Sequence, residues 1–163
     1  MLSRVIPTLL AAIFVVTPAF AQPDAYKPDP QEVLRLIRAD KLDLVLPLIM
    51  RKHDIDMWIN VTRAGNTDPL EYEFGQTAGY LIFTDRGDKI ERAIFGSAPE
   101  ITNIDVQGSN DIARAVEGYD FGHNEEVYNE LRDFVAERDP KKIAVNYSEW
   151  LAVADGISYS QYM

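Results

Sequence analysis

Stretches with the two-residue period of strands alternate along this chain with stretches of helical period, and that alternation limits the fold more than any other feature. A helix is signalled first. Asp29 suits its cap, Pro30 its first position and Glu32 its third. Leu34, Ile37, Leu44 and Leu48, with Val45 and Ile49 beside them, then recur near helical spacing. Pro47 predicts a kink or a division in this helix, because it lacks an N–H and its ring strikes the preceding turn. Arg51, Lys52 and His53 crowd the end, where positive charge complements the helix dipole. A strand is expected over 55–61, with Met57, Trp58 and Ile59 as a buried run. Strands over 79–84 and 89–95 flank the turn Asp85-Arg86-Gly87-Asp88 and read as a hairpin, the second alternating at Ile90, Arg92 and Ile94. Ile101, Ile104 and Val106 suggest a short strand, and 111–116 a short helix. Asn124 is expected to cap a further helix with an apolar stripe of Val127, Leu131, Phe134 and Val135, ended by Asp139-Pro140. Residues 142–146 then read as a strand carrying Ile143 and Val145. Trp58 should lie in a central strand beside Ile59, with Leu131 and Phe134 facing the sheet. The expected class is α/β: a mixed β-sheet flanked by helices.

Residues 1–21 read differently. Arg4 gives a positive start, residues 5–16 are apolar apart from Pro7 and Thr8, and Thr17-Pro18 breaks the run. Ala19-Phe20-Ala21 then places small residues where a signal peptidase reads, with Gln22 as the first residue of the exported product. A spanning helix needs ~20 apolar residues, more than this run supplies. The expectation is a signal peptide over 1–21, an exported, periplasmic or secreted product, and no membrane attachment after its removal. Residues 22–30, with three prolines and no apolar period, read as a linker. A single domain with a real core follows.

The net charge is −10, and loss of Arg4 with the leader makes it more negative. Such a field repels phosphate, so nucleic acid and anionic membrane surfaces are unsuitable partners. The chain has no cysteine. Export permits disulfides, yet packing alone must hold this domain, and thiolate zinc sites are excluded.

Catalytic signatures are sparse. No glycine-rich run matches a dinucleotide or P-loop fingerprint. Gly96-Ser97-Ala98-Pro99 lacks the second glycine of a nucleophile elbow, and Ser97 reads as a turn residue. His53 and His123 are the two histidines, and neither has a ligand partner at helical i+3 or i+4 spacing. Glu125 and Glu126 beside His123 offer a weak metal grouping, but acids in a first helical turn more simply favour the dipole. Asn146-Tyr147-Ser148 fits the glycosylation triplet, a pattern common by chance.

One resemblance gathers these pieces. Residues 36–47 (LIRADKLDLVLP) precede Asp54-Ile55-Asp56-Met57-Trp58-Ile59; Arg63, Asn66 and Asp68-Pro69 follow. Then come Phe83-Thr84-Asp85-Arg86-Gly87, Glu91-Arg92-Ala93, Lys142-Ile143-Ala144-Val145-Asn146 and Ala154-Asp155-Gly156. In this order and at these intervals, over residues 31–163, the chain resembles the N-terminal, creatinase-like domain of bacterial Xaa-Pro aminopeptidase and prolidase relatives, the pita-bread metallopeptidases. The Asp56 to Ile59 segment and the 146–156 stretch are its more specific parts. The resemblance implies a creatinase-like domain over 31–158 and, over 159–163, the start of a linker helix into a catalytic domain. It implies a homodimer, and a role in subunit contacts and in walling the approach to the active site. The family's two divalent metals are held in the C-terminal domain by two aspartates, a histidine and two glutamates, none of which matches a residue here. No catalytic or metal residue and no cofactor is therefore expected in this chain. The loop with Arg63, Asn66 and Asp68 is a candidate for substrate access or interdomain contact. Two departures bear on it: Ala64 stands where an acidic residue commonly follows the arginine, and Asn60 stands where an apolar strand residue is usual.

A cap-box pattern at Ser158-Tyr159-Ser160-Gln161 starts a helix that Met163 leaves without room to complete, so a truncated product is expected. The leading expectation is the non-catalytic N-terminal module of an exported metallopeptidase. The alternatives are a standalone exported binding or assembly module and an independent hydrolase using acidic residues. A module built to be covered keeps an apolar surface, whereas a standalone domain presents a polar one.

Overall fold

The computed structural model describes residues 27–62, 73–74, 78–97, 101–111 and 125–147. Residues 19, 21 and 22 of the cleavage site, the loop residues Arg63, Asn66 and Asp68, His123, the cap at Asn124, most of the helix expected over 111–116 and the 158–161 pattern lie outside these.

Asp29 caps α1 (Pro30–Asp40) as expected, its carboxylate accepting the Gln31 N–H at 3.0 Å. The interruption expected at Pro47 takes the form of a widened turn. A π turn (Lys41–Val45) joins α1 to α2 (Leu46–Lys52), and the Leu46 N–H reaches back to the Lys41 carbonyl. Pro47 supplies the physical reason: its ring would strike the carbonyl four residues earlier, and a widened turn withdraws that carbonyl. The run ends where Asp54, at φ 56°, turns the chain and the Ile55 N–H donates to the Met50 carbonyl.

Among the described residues five strands follow: β1 (Met57–Thr62), β2 (Ala78–Asp85), β3 (Ile90–Ser97), β4 (Val106–Gln107) and β5 (Ile143–Val145). Helix α3 (Glu125–Arg138) precedes β5. The order across the sheet is β4-β3-β2-β1-β5. The three long strands form an antiparallel meander, while β4 pairs parallel to β3 and β5 parallel to β1. The class is therefore α/β with a mixed sheet and helices. Ser97 does not begin a turn; it ends β3, paired with Ala78.

Alternation along the strands builds two cores. Leu81, Phe83 and Ile94 meet Leu42, Leu46 and Met50 of the bent helix, with Phe74 and Ile101 beside them. Trp58 closes this side, stacking on Phe83 at 5.3 Å and meeting Phe74 edge-on at 5.6 Å. On the opposite side Met57, Ile59, Val61, Tyr80, Ile82, Ala93 and Phe95 pack with Phe134 of α3, and Leu131 and Val135 flank it. Phe134 meets Phe95 edge-on at 5.2 Å, and the Arg138 guanidinium lies 3.4 Å from the centre of the Phe134 ring. Trp58 and Ile59 thus point to opposite sides of a strand one in from the edge.

The helical stripe read from the sequence is not the buried one. Leu34, Ile37, Leu44, Val45, Leu48 and Ile49 are exposed, and Leu42, Leu46 and Met50 enter the core. The π turn changes which residues face the sheet, so a period counted through it fails.

Gly79 and Gly96 face each other across β2 and β3, both at positive φ. A Cβ on Gly79 would sit 2.2 Å from the Phe95 carbonyl oxygen, and one on Gly96 would sit 2.4 Å from that of Ala78. The two backbones approach closely only because neither residue has a side chain.

Candidate functional site

Parallel strands direct their carboxyl ends the same way, and crevices beyond such ends are the usual ligand positions of α/β sheets. Here β1 and β5 run side by side, in register from Met57 with Ile143 to Ile59 with Val145. Asp56 fixes that register, since one of its carboxylate oxygens accepts the backbone N–H groups of Lys141 at 2.7 Å and Lys142 at 2.9 Å. One step further, Asn146 lies beside Asn60. The Trp58 indole N–H donates to Asn146 Oδ1 at 3.2 Å, and Asn146 Nδ2 donates to Asn60 Oδ1. Asn60 and Thr62 are buried. Asn60 Nδ2 and Thr62 Oγ1 meet no hydrogen-bond partner among the described residues. Buried polar groups are ordinarily satisfied, so among the described residues this end of the strand pair holds spare hydrogen-bonding capacity. Arg63, Asn66 and Asp68 follow Thr62 in the chain and lie outside the described residues.

A second polar feature is an open cleft of ≈ 400 Å³ between the bent helix and the β2–β3 turn, lined by Asp43, Arg51, Asp88, Lys89, Arg92 and Asp105 among others. The π turn presents Asp43 to Arg92, a buried arginine whose other terminal nitrogen donates to the Thr102 carbonyl at 2.9 Å. Arg51 grips Asp85 through two nitrogens, at 2.8 and 3.1 Å, and also donates to the Gly87 carbonyl. The paired guanidinium, helped by the Gly87 N–H, holds the Asp85 carboxyl below its ordinary range, and Arg51 is raised in return. Lys89 does the same for Asp105, which also accepts the Arg92 N–H, and the lysine is raised by that partner. Each of these three cations is thus matched by a carboxylate, and the cleft is a lattice of ion pairs.

The sequence marked few of these groups. Arg92 appeared there as one step of an alternation with Ile90 and Ile94, and its burial on that face is the signal that went unused. Asn60 was marked as a departure from an apolar strand. The Asn146 side chain is half-buried and engaged by Trp58 and Asn60, an arrangement that does not favour a glycan there. His53 caps the end of α2, exposed, and its carbonyl accepts Lys142 Nζ at 2.7 Å. Glu125 and Glu126 open α3.

Among the described residues, no three His, Asp or Glu side chains gather where a metal ion could be held. No described helix is long and apolar enough to cross a membrane. The chain matches no family model, no curated protein and no solved structure.

Proposed function

We propose that this chain is the non-catalytic N-terminal module of an exported Xaa-Pro aminopeptidase- or prolidase-like metallopeptidase, with a creatinase-like fold. One observation carries the reading. The 56–59 segment and Asn146, the first residue of the other specific stretch, lie far apart in sequence yet are joined: Trp58 donates to Asn146, and Asn146 donates to Asn60. They sit beside the parallel pair β1 and β5, which Asp56 ties through the N–H groups of Lys141 and Lys142. The exposed apolar side of α1 and α2 adds support, since a surface made to be covered stays apolar.

In this role the module supplies subunit contacts and one wall of the approach to a catalytic domain. The loop with Arg63, Asn66 and Asp68, which follows Thr62 in the chain, would form part of that wall. The catalytic domain would bring the two divalent metals, which activate water and polarise the scissile carbonyl. Residues 1–21 would act as the signal peptide, cut between Ala21 and Gln22, and intact mass of exported material checks that directly.

The deciding experiment is to read the DNA beyond the codon for Met163 and to assay its product. The expected result is a pita-bread domain with two aspartates, a histidine and two glutamates, in this frame or a shifted one. The joined protein should hydrolyse Xaa-Pro peptides with Mn²⁺, Co²⁺ or Zn²⁺, and the purified chain alone should not. Unrelated sequence after a stop codon, or metal-dependent turnover by the chain alone, overturns the proposal.

A further inference from the structure

The cleft between the helical run and the β2–β3 turn has an open volume of ≈ 400 Å³. That lies toward the small end of the range for small-molecule sites, ~300–1,000 Å³. Its lining holds three cations, Arg51, Lys89 and Arg92, and three carboxylates, Asp43, Asp88 and Asp105. On a chain of net charge −10, this is a place where charge balances. Leu42, Pro47 and Ile90 supply the apolar part of the lining.

Pairing within the cleft is incomplete, and what remains has a definite form. Arg92 is committed: it is buried, and Asp43 and the Thr102 carbonyl take its terminal nitrogens. Arg51 gives Nε and one terminal nitrogen to Asp85 and Gly87, and its other terminal nitrogen has no partner among the described residues. Lys89 gives one of its three ammonium protons to Asp105. Both cations are about half exposed. Asp88 is exposed, accepts the Lys89 backbone N–H and pairs with no cation among the described residues. It still lies close to both. Arg51 and Lys89 are raised above their ordinary ranges first by their partners Asp85 and Asp105, and also by Asp88. Spare donors on two cations and one spare carboxylate therefore border one small space, with apolar side chains beside them.

A ligand that uses all of these carries an ammonium group for Asp88, a carboxylate for Arg51 and Lys89, and a small apolar group. Asp88 and Lys89 are neighbours in the chain, so the ligand's two charges must also lie close together. A simple anion meets three carboxylates and the field of the whole chain, and a simple cation meets three cations. A zwitterion has no net charge and meets neither cost in full.

We infer that this cleft binds a small zwitterion, an apolar α-amino acid, with its ammonium on Asp88 and its carboxylate across Arg51 and Lys89. Bound there, it bridges α2 and the β2–β3 turn. The inference goes beyond the peptidase reading and does not rest on it, since it uses only groups of this cleft.

Titration of the purified chain with L-leucine, followed by amide NMR, tests it. Half-exposed charges each gain little, so a dissociation constant on the order of 1 mM is expected. The amides of Asp88, Lys89 and Asn103, which borders the cleft, should shift saturably. Isopentylamine and isocaproate keep leucine's apolar chain and each lose one charge, and each should bind at least about fivefold more weakly. Asp88→Asn keeps the acceptor for the Lys89 N–H and should keep the thermal midpoint, while leucine binding falls by a similar factor. Asp133→Asn, on the exposed side of α3, should bind leucine as wild type does. No saturable shift at these residues, equal binding of either single-charge analogue, or undiminished binding by Asp88→Asn overturns the inference. The peptidase reading is decided by the DNA after Met163 and by turnover, so the two fail separately.

Discussion

Replacing Asn60 with leucine should stabilise the protein. The side chain is fully buried on β1, facing Leu81 across the antiparallel pair. Its Oδ1 accepts one hydrogen bond, from Asn146, and its Nδ2 has no partner among the described residues. Losing the bond costs ~1 kcal/mol, whereas removing a buried unsatisfied donor returns ~1–3 kcal/mol. Asn146 is half-buried, so water can take over its freed amide. Leucine has the same branching and heavy-atom count as asparagine, which keeps overpacking small. The net is a gain of ~0–2 kcal/mol, centred on ~1 kcal/mol. Urea unfolding followed by the fluorescence of Trp58 and Trp150 together and by far-UV circular dichroism reads it. At a slope of ~1–3 kcal/mol/M a gain of ~1 kcal/mol should raise the midpoint by about 0.3–1 M with the slope unchanged. A fall in the midpoint of comparable size would refute the reasoning, because it would mean that Nδ2 is satisfied in the folded protein. A gain in stability accompanied by lost activity of the joined protein would mark Asn60 as kept for function.

Phe134→Ala should cost ~3–5 kcal/mol, since the ring is buried against Phe95 and beneath Arg138; a midpoint moved no more than that of an exposed α3 substitution would show its packing to be misassigned. Gly79→Ala should destabilise by ~1–3 kcal/mol or prevent folding, because its Cβ would meet the Phe95 carbonyl at 2.2 Å, and a thermal midpoint equal to wild type would contradict the close approach. Asp85 and Asp105 have folded values below the ordinary carboxylate range, so their contribution is fully present above ~pH 4 and is lost as pH falls through the lower folded values. Asp85→Asn should therefore lower stability at neutral pH and flatten the acid side of a stability–pH curve; a parallel shift with an unaltered acid slope would remove Asp85 from that account.

Elements whose periodicity is uninterrupted were the ones legible in the chain. The β2–β3 hairpin and α3 lie within a residue or two of their expected spans, because alternation and the Asp139-Pro140 stop act locally. Asp29 and Pro30 marked the start of α1 for the same reason. The inner face of this helical run was not legible: Leu42, Leu46 and Met50 recur every four residues, but so do the exposed pairs Leu44 with Leu48 and Val45 with Ile49, and only the sheet selects between them. Strand order was equally hidden, since β5 takes its place through Asp56 accepting N–H groups more than eighty residues away. The candidate site shows the same division. Asn60 stood out as a polar residue in an apolar strand, but its partnership with Asn146 depends on parallel pairing that no local pattern encodes.

The π turn between Lys41 and Val45 has a consequence for how such a chain can change length. It is in effect one surplus residue stored inside a helix. Deleting a single residue there would return the segment to α geometry and shorten the run, and because the widened turn already absorbs the ~100° that one residue adds, α1 would keep nearly its present bearing on α2. Leu46 and Met50 would keep their seats against the sheet, and Leu34 and Ile37 would face much the same way as before. A one-codon change could thus alter the length of the helix without turning its outer surface. Pro47 works against that deletion, because a regular helix would again press its ring onto the Asp43 carbonyl. The surplus residue and the proline therefore hold each other in place, and a chain that lost one would be expected to lose the other.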